Sequence, residues 1–385
     1  MTATTRSLPR IATRSTLFLA LELGETSWKL AFTTGMGQKP RERTIAARDR
    51  GAFLREIVRA KQRFGLPERA ARVASVYEAG REGFWLHRFL VAEGIDNRVV
   101  DASSIEVNRR RRRTKTDRMD ARRLLGLLLR EHSGENKVWS VVHVPTPEAE
   151  DRRHLHRELL TAKRDRTRVT NRMLGLLANQ GVRAEPRRPL RAQLERLRLW
   201  NGAQLPEGLR RRLERECEKV DLLNRQIERL EAARREALRE GADPAVQKVS
   251  QLLGLKGIGS NSAWLYVMEF FGWRGFRSRK QVGALAGLTP TPYQSGEASR
   301  EQGIAKAGNR HIRAMAIEIA WGWLRFQPRS ALTRWYQERF GRGSSRLRRI
   351  GIVALARKLL IALWQYLETG SLPEGAELKP ALKIR

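Results

Sequence analysis

The chain changes texture once, at Glu148, and that change constrains its fold more than any single residue does. Before it, short apolar runs alternate with amphipathic stretches, closed by glycine or proline. After it the sequence becomes long, charged and helical. Thr16 to Thr34 predicts a hairpin: the apolar run Leu17–Leu23, a turn at Gly24-Glu25-Thr26 and a return strand from Ser27 to Phe32. A helix is expected at about Gly51 to Phe64 and a strand from Arg72 to Tyr77, ending in Glu78-Ala79-Gly80. A second helix, Phe84 to Glu93, and a strand, Asn97 to Asp101, follow. Alternation of this kind predicts an α/β domain over residues 17–147. Its last elements are a helix from Thr116 or Asp117, either of which can cap it, to about Glu131, and a strand from Val138 to Val144 that stops at Pro145.

Residues 148–248 are read as a helical, coiled-coil region, because Val220, Leu223, Ile227, Leu230 and Ala237 follow a heptad-like seam. The Pro/Gly-containing interval from Gly181 to Pro206 separates two long helices, an antiparallel pair or a dimerising insertion. Residues 249–370 form a third, mostly α region that opens on Leu255-Lys256-Gly257-Ile258-Gly259. A Gly-x-Gly turn between apolar helices resembles a helix-hairpin-helix, whose exposed amides grip a phosphate without reading bases. Trp264, Trp273, Trp321, Trp323 and Trp335 are expected in helical core, and a terminal helix from about Leu347 to Glu368. Residues 1–16 are read as a basic flexible arm and 371–385 as a loose tail.

Charge narrows the partner. Lys plus Arg number 76 against 41 Asp plus Glu, a formal net charge of +35, which predicts a polyanion and favours nucleic acid. The most basic stretch holds Arg109, Arg110, Arg111, Arg112 and Arg113 in a row, then Lys115. Such a run repels itself unless phosphates neutralise it. Cys217 is the single cysteine, so a disulfide framework or a Cys-based zinc site is excluded and a reducing compartment fits. The run Leu17–Leu23 is too short to span a bilayer and Glu22 interrupts it, so a cytoplasmic protein with no membrane partner is expected.

Two constellations carry chemistry. Glu22 lies on the first strand, Glu78 at the end of a later one, and Asp117 and Asp120 on one helix. The i, i+3 spacing puts the last two on one helical face, about 5–6 Å apart at Cβ. Converging carboxylates of this kind suit two divalent cations, as in-line phosphoryl transfer requires. Each acid also has a plainer reading: Asp117 as an N-cap, Asp120 as a first-turn charge complementing the helix dipole, Glu78 as a loop acid. Glu22, inside an apolar strand, is the hardest to explain without a metal or partner. The second constellation is Ser295-Gly296 followed by Arg300, Lys306, Asn309, Arg310 and Arg313. A serine beside glycine is often only a turn. Beside several cations it is also a candidate nucleophile for a phosphodiester. Only His311 stands near it in sequence, so a Ser/His/Asp triad is unsupported.

Three segments, in this order and spacing, resemble transposases of the IS110 family, and among them the IS1111-like branch: Lys115-Thr116-Asp117-Arg118-Met119-Asp120-Ala121, the Leu255–Gly259 turn, and Gln294-Ser295-Gly296 through Gly303–Asn309. The resemblance spans about Leu17 to Glu368. It implies a RuvC-like (RNase H-like) N-terminal domain with a DEDD acid set, a coiled-coil middle and a C-terminal transposase domain with a catalytic serine. By motif, Glu22, Glu78, Asp117 and Asp120 are the acids, holding two Mg2+ or Mn2+, and Ser295 is the nucleophile that forms a transient 5′-phosphoserine. Lys256, Gly257 and Gly259, with Arg300, Lys306, Asn309 and Arg313, are the implied nucleic-acid contacts beside the arginine run.

The resemblance further implies a recombinase that excises and inserts its own element through a circular intermediate. Its partners are double-stranded DNA (donor ends and target) and an element-encoded noncoding RNA that pairs with both. Homo-oligomers from dimer to tetramer are implied, in a nucleoid-associated protein of bacteria or archaea. One departure stands out: Glu22 occupies a position where the family usually has Asp, moving the ligand oxygens by about 1.5 Å. Glu25 is no substitute, since an offset of three on a strand reverses the face. Two other readings stay open, a binding protein that has lost its chemistry and a metal-only Holliday-junction endonuclease.

Overall fold

The computed structural model describes residues 15–105, 117–136, 138–185, 188–295 and 298–380. The expected N-terminal arm, apart from Ser15 and Thr16, and the arginine run with Thr116 lie outside the described residues. The chain divides into two compact units, Met1–Pro145 and Thr146–Arg385.

The first unit is an α/β layer structure. Strands β1 (Thr16–Leu23), β2 (Ser27–Thr33), β3 (Arg41–Ala46), β4 (Arg72–Glu78) and β5 (Asp96–Val100) form a sheet in the order β3-β2-β1-β4-β5. β1 pairs antiparallel with β2 and parallel with β4, which continues parallel to β5. The central β1 is apolar on both faces because both are covered. Leu17, Leu19 and Leu21 pack with Phe53 and Ile57 of α1 (Arg50–Arg63) and with Leu86 and Leu90 of α2 (Trp85–Ala92). Phe18 and Ala20 pack under Leu124, Leu125 and Leu128 of α3 (Asp117–His132). β3 escapes the hydrophobic pattern because it is an edge strand on which only Arg41 and Ile45 are buried.

The strand expected from Val138 to Val144 is corrected to a single bridge, Val141 to Val100, with two backbone bonds, Asp101 N to Ser140 O and Val142 N to Val99 O. Its valines serve packing rather than a ladder, Val138 against the α3 side and Val142 and Val144 against the α1–α2 side.

In the second unit α4 (Pro147–Ala178) and α5 (Glu207–Glu240) run antiparallel. The direction follows from the bonded pairs Lys163–Glu231, Arg166–Asn224 and Arg172–Glu216, whose numbers rise on one helix as they fall on the other. Leu223, Ile227 and Leu230 of the seam meet Leu159 and Ala162, and Val220 joins the cluster at Val169 and Met173. Ala237 leaves the seam and packs on the C-terminal core.

That core gathers α6 (Pro244–Leu253), α7 (Ser260–Tyr266), α8 (Arg279–Leu285), α9 (Arg310–Phe326), α10 (Ala331–Tyr336) and α11 (Ser345–Thr369) around Trp264, Phe270, Trp323 and Leu359. Trp321 is half exposed, an exception to the expected burial of the tryptophans. α11 is long and apolar enough to span a membrane, but from Gly351 onward its apolar residues fill this core.

The tail is not loose over residues 371–380. Ala331 N donates to Glu374 O, Lys256 N to Glu377 O and Lys379 N to Gly254 O, so the segment straps the bundle. Backbone pairing, including a bridge between Leu255 and Leu378, holds it, which a sequence rich in Pro, Gly and charge does not announce.

Candidate catalytic site

Strand register places the first two acids. With Leu21 opposite Tyr77 in the parallel β1–β4 pair, the next step sets Glu22 beside Glu78 at the carboxyl ends of both strands. Alternation fixes their face: Phe18 and Ala20 on β1, and Ala74 and Val76 on β4, lie under α3, so both acids share that face. Asp120 sits one turn before Leu124 and two before Leu128, on the stripe of α3 that faces the sheet. α3 runs back along β1, because His132 at its far end stacks edge-on to Phe18 at 4.8 Å. Its first turn is therefore at the end of the sheet that carries Glu22 and Glu78. Asp117 is the first residue of α3, and its side chain is not among those described. In open α/β sheets, ligand sites collect at the carboxyl ends of parallel strands.

Glu22 is not at the centre of β1, where the desolvation argument had placed it. It is the penultimate residue and half-buried. Across the hairpin it faces Lys29, a cross-strand neighbour on the same side of the sheet. Sequence reading missed Lys29, although the three-residue turn at Gly24-Glu25-Thr26 sets that register. Glu25 lies in this turn, where Arg81 binds it at 2.6 Å and holds its carboxyl below the usual range. It is engaged outside the site.

The donor set of Glu22, Glu78 and Asp120 offers hard oxygen ligands, which suit Mg2+ or Mn2+. Among the described residues, however, no three of His, Cys, Asp or Glu are close enough to hold a metal ion.

Ser295 ends a strand instead of sitting in an open loop. β6 (Pro290–Ser295) and β7 (Ala298–Ile304) form a two-stranded ribbon with Ser295 paired to Ala298 and Tyr293 to Arg300. Ser295 is thus at the tip, with Arg300 on the returning strand. Gly296 lies outside the described residues.

The base of the ribbon explains most of the Gly303–Arg313 motif. Gly287 and Gly308 have positive φ, 67° and 92°. A methyl at Gly287 would stand 2.0 Å from Ala307 O, and one at Gly308 would stand 2.3 Å from Leu285 O. The turn before β6 and the turn after β7 therefore lie back to back. Arg313 ties them by donating to Lys306 O at 2.8 Å. Asn309 caps α9, its carbonyl accepting from the amides of His311 and Ile312. These two expected phosphate contacts are engaged in the fold, while Lys306 remains exposed.

The Leu255–Gly259 turn departs from its expectation in the same way. Lys256 N is bonded to Glu377 O, Gly259 N to Ser262 Oγ at 3.1 Å, and Gly257 lies against Phe326. The Lys256 ammonium is paired with Glu377, which Arg329 also holds at 2.8 Å. A phosphate would meet a Lys256 already engaged by the C-terminal strap and a Gly259 amide engaged by Ser262.

Relatives are informative at this point. Residues 249–336, the stretch that contains the Ser295 ribbon, match the model of the "Transposase IS116/IS110/IS902 family". The chain is 41% identical over 382 residues to a "Putative transposase y4rJ" of Sinorhizobium fredii, covering 94% of each chain. It belongs to that family of transposases.

This transposase is also 30% identical over 229 residues to the transposase for insertion sequence element IS1328 of Yersinia enterocolitica, covering 58% of this chain and 65% of the other. A "Probable family 20 transposase" of Pseudomonas aeruginosa is 30% identical over 234 residues, covering 59% and 67%. The acids of the transposase lie in its first unit and Ser295 in its second.

Proposed function

We propose that this transposase, as a member of the IS1111-like branch, cuts and rejoins DNA with Ser295 as nucleophile and Glu22, Glu78, Asp117 and Asp120 as ligands of two divalent cations, Mg2+ or Mn2+. The observation that supports the reading is the placement of Glu22, Glu78 and Asp120 at the same end of one sheet face. The mixed five-stranded sheet is what a RuvC-like domain requires. Cations bound there supply positive charge to the phosphate oxygens and ease ionisation of a hydroxyl.

The Ser295 hydroxyl loses its proton and attacks phosphorus. The P–O3′ bond breaks, the leaving 3′ oxygen takes a proton, and a 5′-phosphoserine remains. Arg300 and Lys306 are the candidates to bind the phosphate. Reversal by an incoming 3′-hydroxyl rejoins the strand. The partners are double-stranded DNA at donor ends and target, with an element-encoded noncoding RNA selecting them, in a homo-oligomer up to a tetramer in the cytoplasm.

Ser295→Ala tests the chemistry. With end-labelled DNA on denaturing gels, the wild-type protein should leave label on protein, released by protease, and Ser295→Ala should not. Cleavage to free 5′-phosphate ends with no protein-bound label would refute the serine mechanism and favour a metal-only nuclease. Sequencing co-purified RNA tests guidance: one discrete species supports it, and a random host mixture overturns it.

A further inference from the structure

The second unit distributes its charge unevenly. α5 carries ten cations and nine acids, so acids are interspersed among its arginines, and Arg210 and Arg211 pair with Glu207. From Arg339 to Lys358 there are seven cations and no acid. Arg339, Arg342, Arg346, Arg348 and Arg349 are all exposed, and none makes an ion pair among the described residues.

The start of α11 is unusual in a second way. Every residue from Ser344 to Ile350 is exposed, including Leu347 at 40% and Ile350 at 50%, so these two turns bury no residue fully. The buried stripe begins only at Gly351. No acid stands in the first turn to complement the helix dipole, and Arg346 and Arg348 oppose it. Two helical turns that bury no residue fully and concentrate guanidinium groups without ion pairs are explained by an external anion.

The shape of that anion follows from the exposure of these turns. An α-helix with its side chains is about 10–12 Å across, and the major groove of B-form DNA is about 12 Å wide. The major groove of A-form RNA is too narrow and deep to admit one. We infer that Ser345–Ile350, the first two turns of α11, enter the major groove of duplex DNA. Arg346, Arg348 and Arg349 bind the phosphates that flank it, and Leu347 and Ile350 face the base edges. The inference rests on the transposase reading only in taking DNA as the partner.

Binding, not cleavage, tests it. The full chain carrying Ser295→Ala is titrated onto a labelled 30-base-pair duplex by fluorescence anisotropy across a salt series. It is compared with the same chain carrying R346Q, R348Q and R349Q, and with one carrying R346K, R348K and R349K. Each lost phosphate contact removes about 0.9 from the slope of log affinity against log salt, so the glutamine variant should lose about 2 to 3. The lysine variant should keep the slope within about one contact.

An unchanged slope in the glutamine variant overturns the inference. So does an equal loss in both variants, which would make the effect one of packing rather than charge. A change confined to duplex RNA, to anionic vesicles or to self-association in sedimentation also overturns it. Since Ser295 is silenced throughout, the absence of a phosphoserine adduct elsewhere would leave this result standing.

Discussion

At Glu22 one methylene separates this chain from an aspartate, and Lys29 stands opposite. A position near the strand end, half-buried, leaves the longer side chain room to turn its carboxylate toward Glu78. Glu22→Asp is therefore expected to hold activity within about tenfold, roughly 1.4 kcal/mol in barrier, in magnesium. A far larger loss would mean the site is built around glutamate. Asp120→Asn is the sharper change. It keeps the helix and the shape but removes an anionic ligand, and cleavage should fall by about 100-fold or more with duplex affinity changed less than about twofold. Strand cleavage on denaturing gels and anisotropy binding read the two effects separately. Cleavage retained within about tenfold would reduce Asp120 to a charge at a helix start.

Among the elements, the β6–β7 ribbon depends most on its supports. Its tip carries Ser295, yet its placement comes from the glycine contact between the turns at Gly287 and Gly308 and from Arg313 across them. Gly308→Ala forces a left-handed residue to carry a Cβ into the Leu285 carbonyl, and is expected to cost about 2–4 kcal/mol in denaturant unfolding. Measured stability within about 0.5 kcal/mol of wild type would show that the turns are not locked. The strap over residues 371–380 is a second support. Ending the chain at Gly370 removes the backbone bonds to Lys256, Ala331 and Gly254, and should lower the calorimetric midpoint by at least about 3 °C. An unchanged midpoint would make the strap an ornament on a self-sufficient bundle.

For the molecule as a whole, pH tests the packing between the helical pair and the C-terminal core. His156 is fully buried beside Arg234, whose Nη2 donates to His156 Nδ1 at 2.6 Å. Arg157 and Glu269 also face it. Burial, and then the Arg234 charge, push the imidazole down to about 4 from an ordinary 6.5. The unfolded chain takes up this proton near 6.5 and the folded one only near 4. Stability from the neutral ring is thus complete above the first value and falls with pH between the two, by on the order of 3 kcal/mol. His87, also lowered by burial, acts in the same sense. Glu216 and Glu231, held low by Arg172 and Lys163, lose their contributions only at more acid pH. His156→Gln keeps an acceptor for Arg234 and removes the titration. The unfolding midpoint should therefore depend less on pH between about 4.5 and 6.5 than in wild type. An identical pH profile would place the titrating group elsewhere.

Local pattern alone was enough for much of this protein. Apolar runs and their turns gave away the first hairpin, the two long middle helices and the terminal helix, because periodicity and turn chemistry act within a few residues, while the choice of an antiparallel pair was left to the structure. Charge announced a polyanionic partner, since net charge needs no fold. Tertiary structure decided the rest. β3 is polar because it is an edge, and the valines near Val141 pack without joining a ladder. Glu22 and Glu78 are 56 residues apart, and only the parallel pairing of β1 with β4 makes them neighbours. Asn309, Arg313 and Lys256 read as phosphate ligands in one dimension. In three they also serve a helix cap, a turn and a strap: Asn309 and Arg313 through near neighbours, Lys256 through Glu377, 121 residues away.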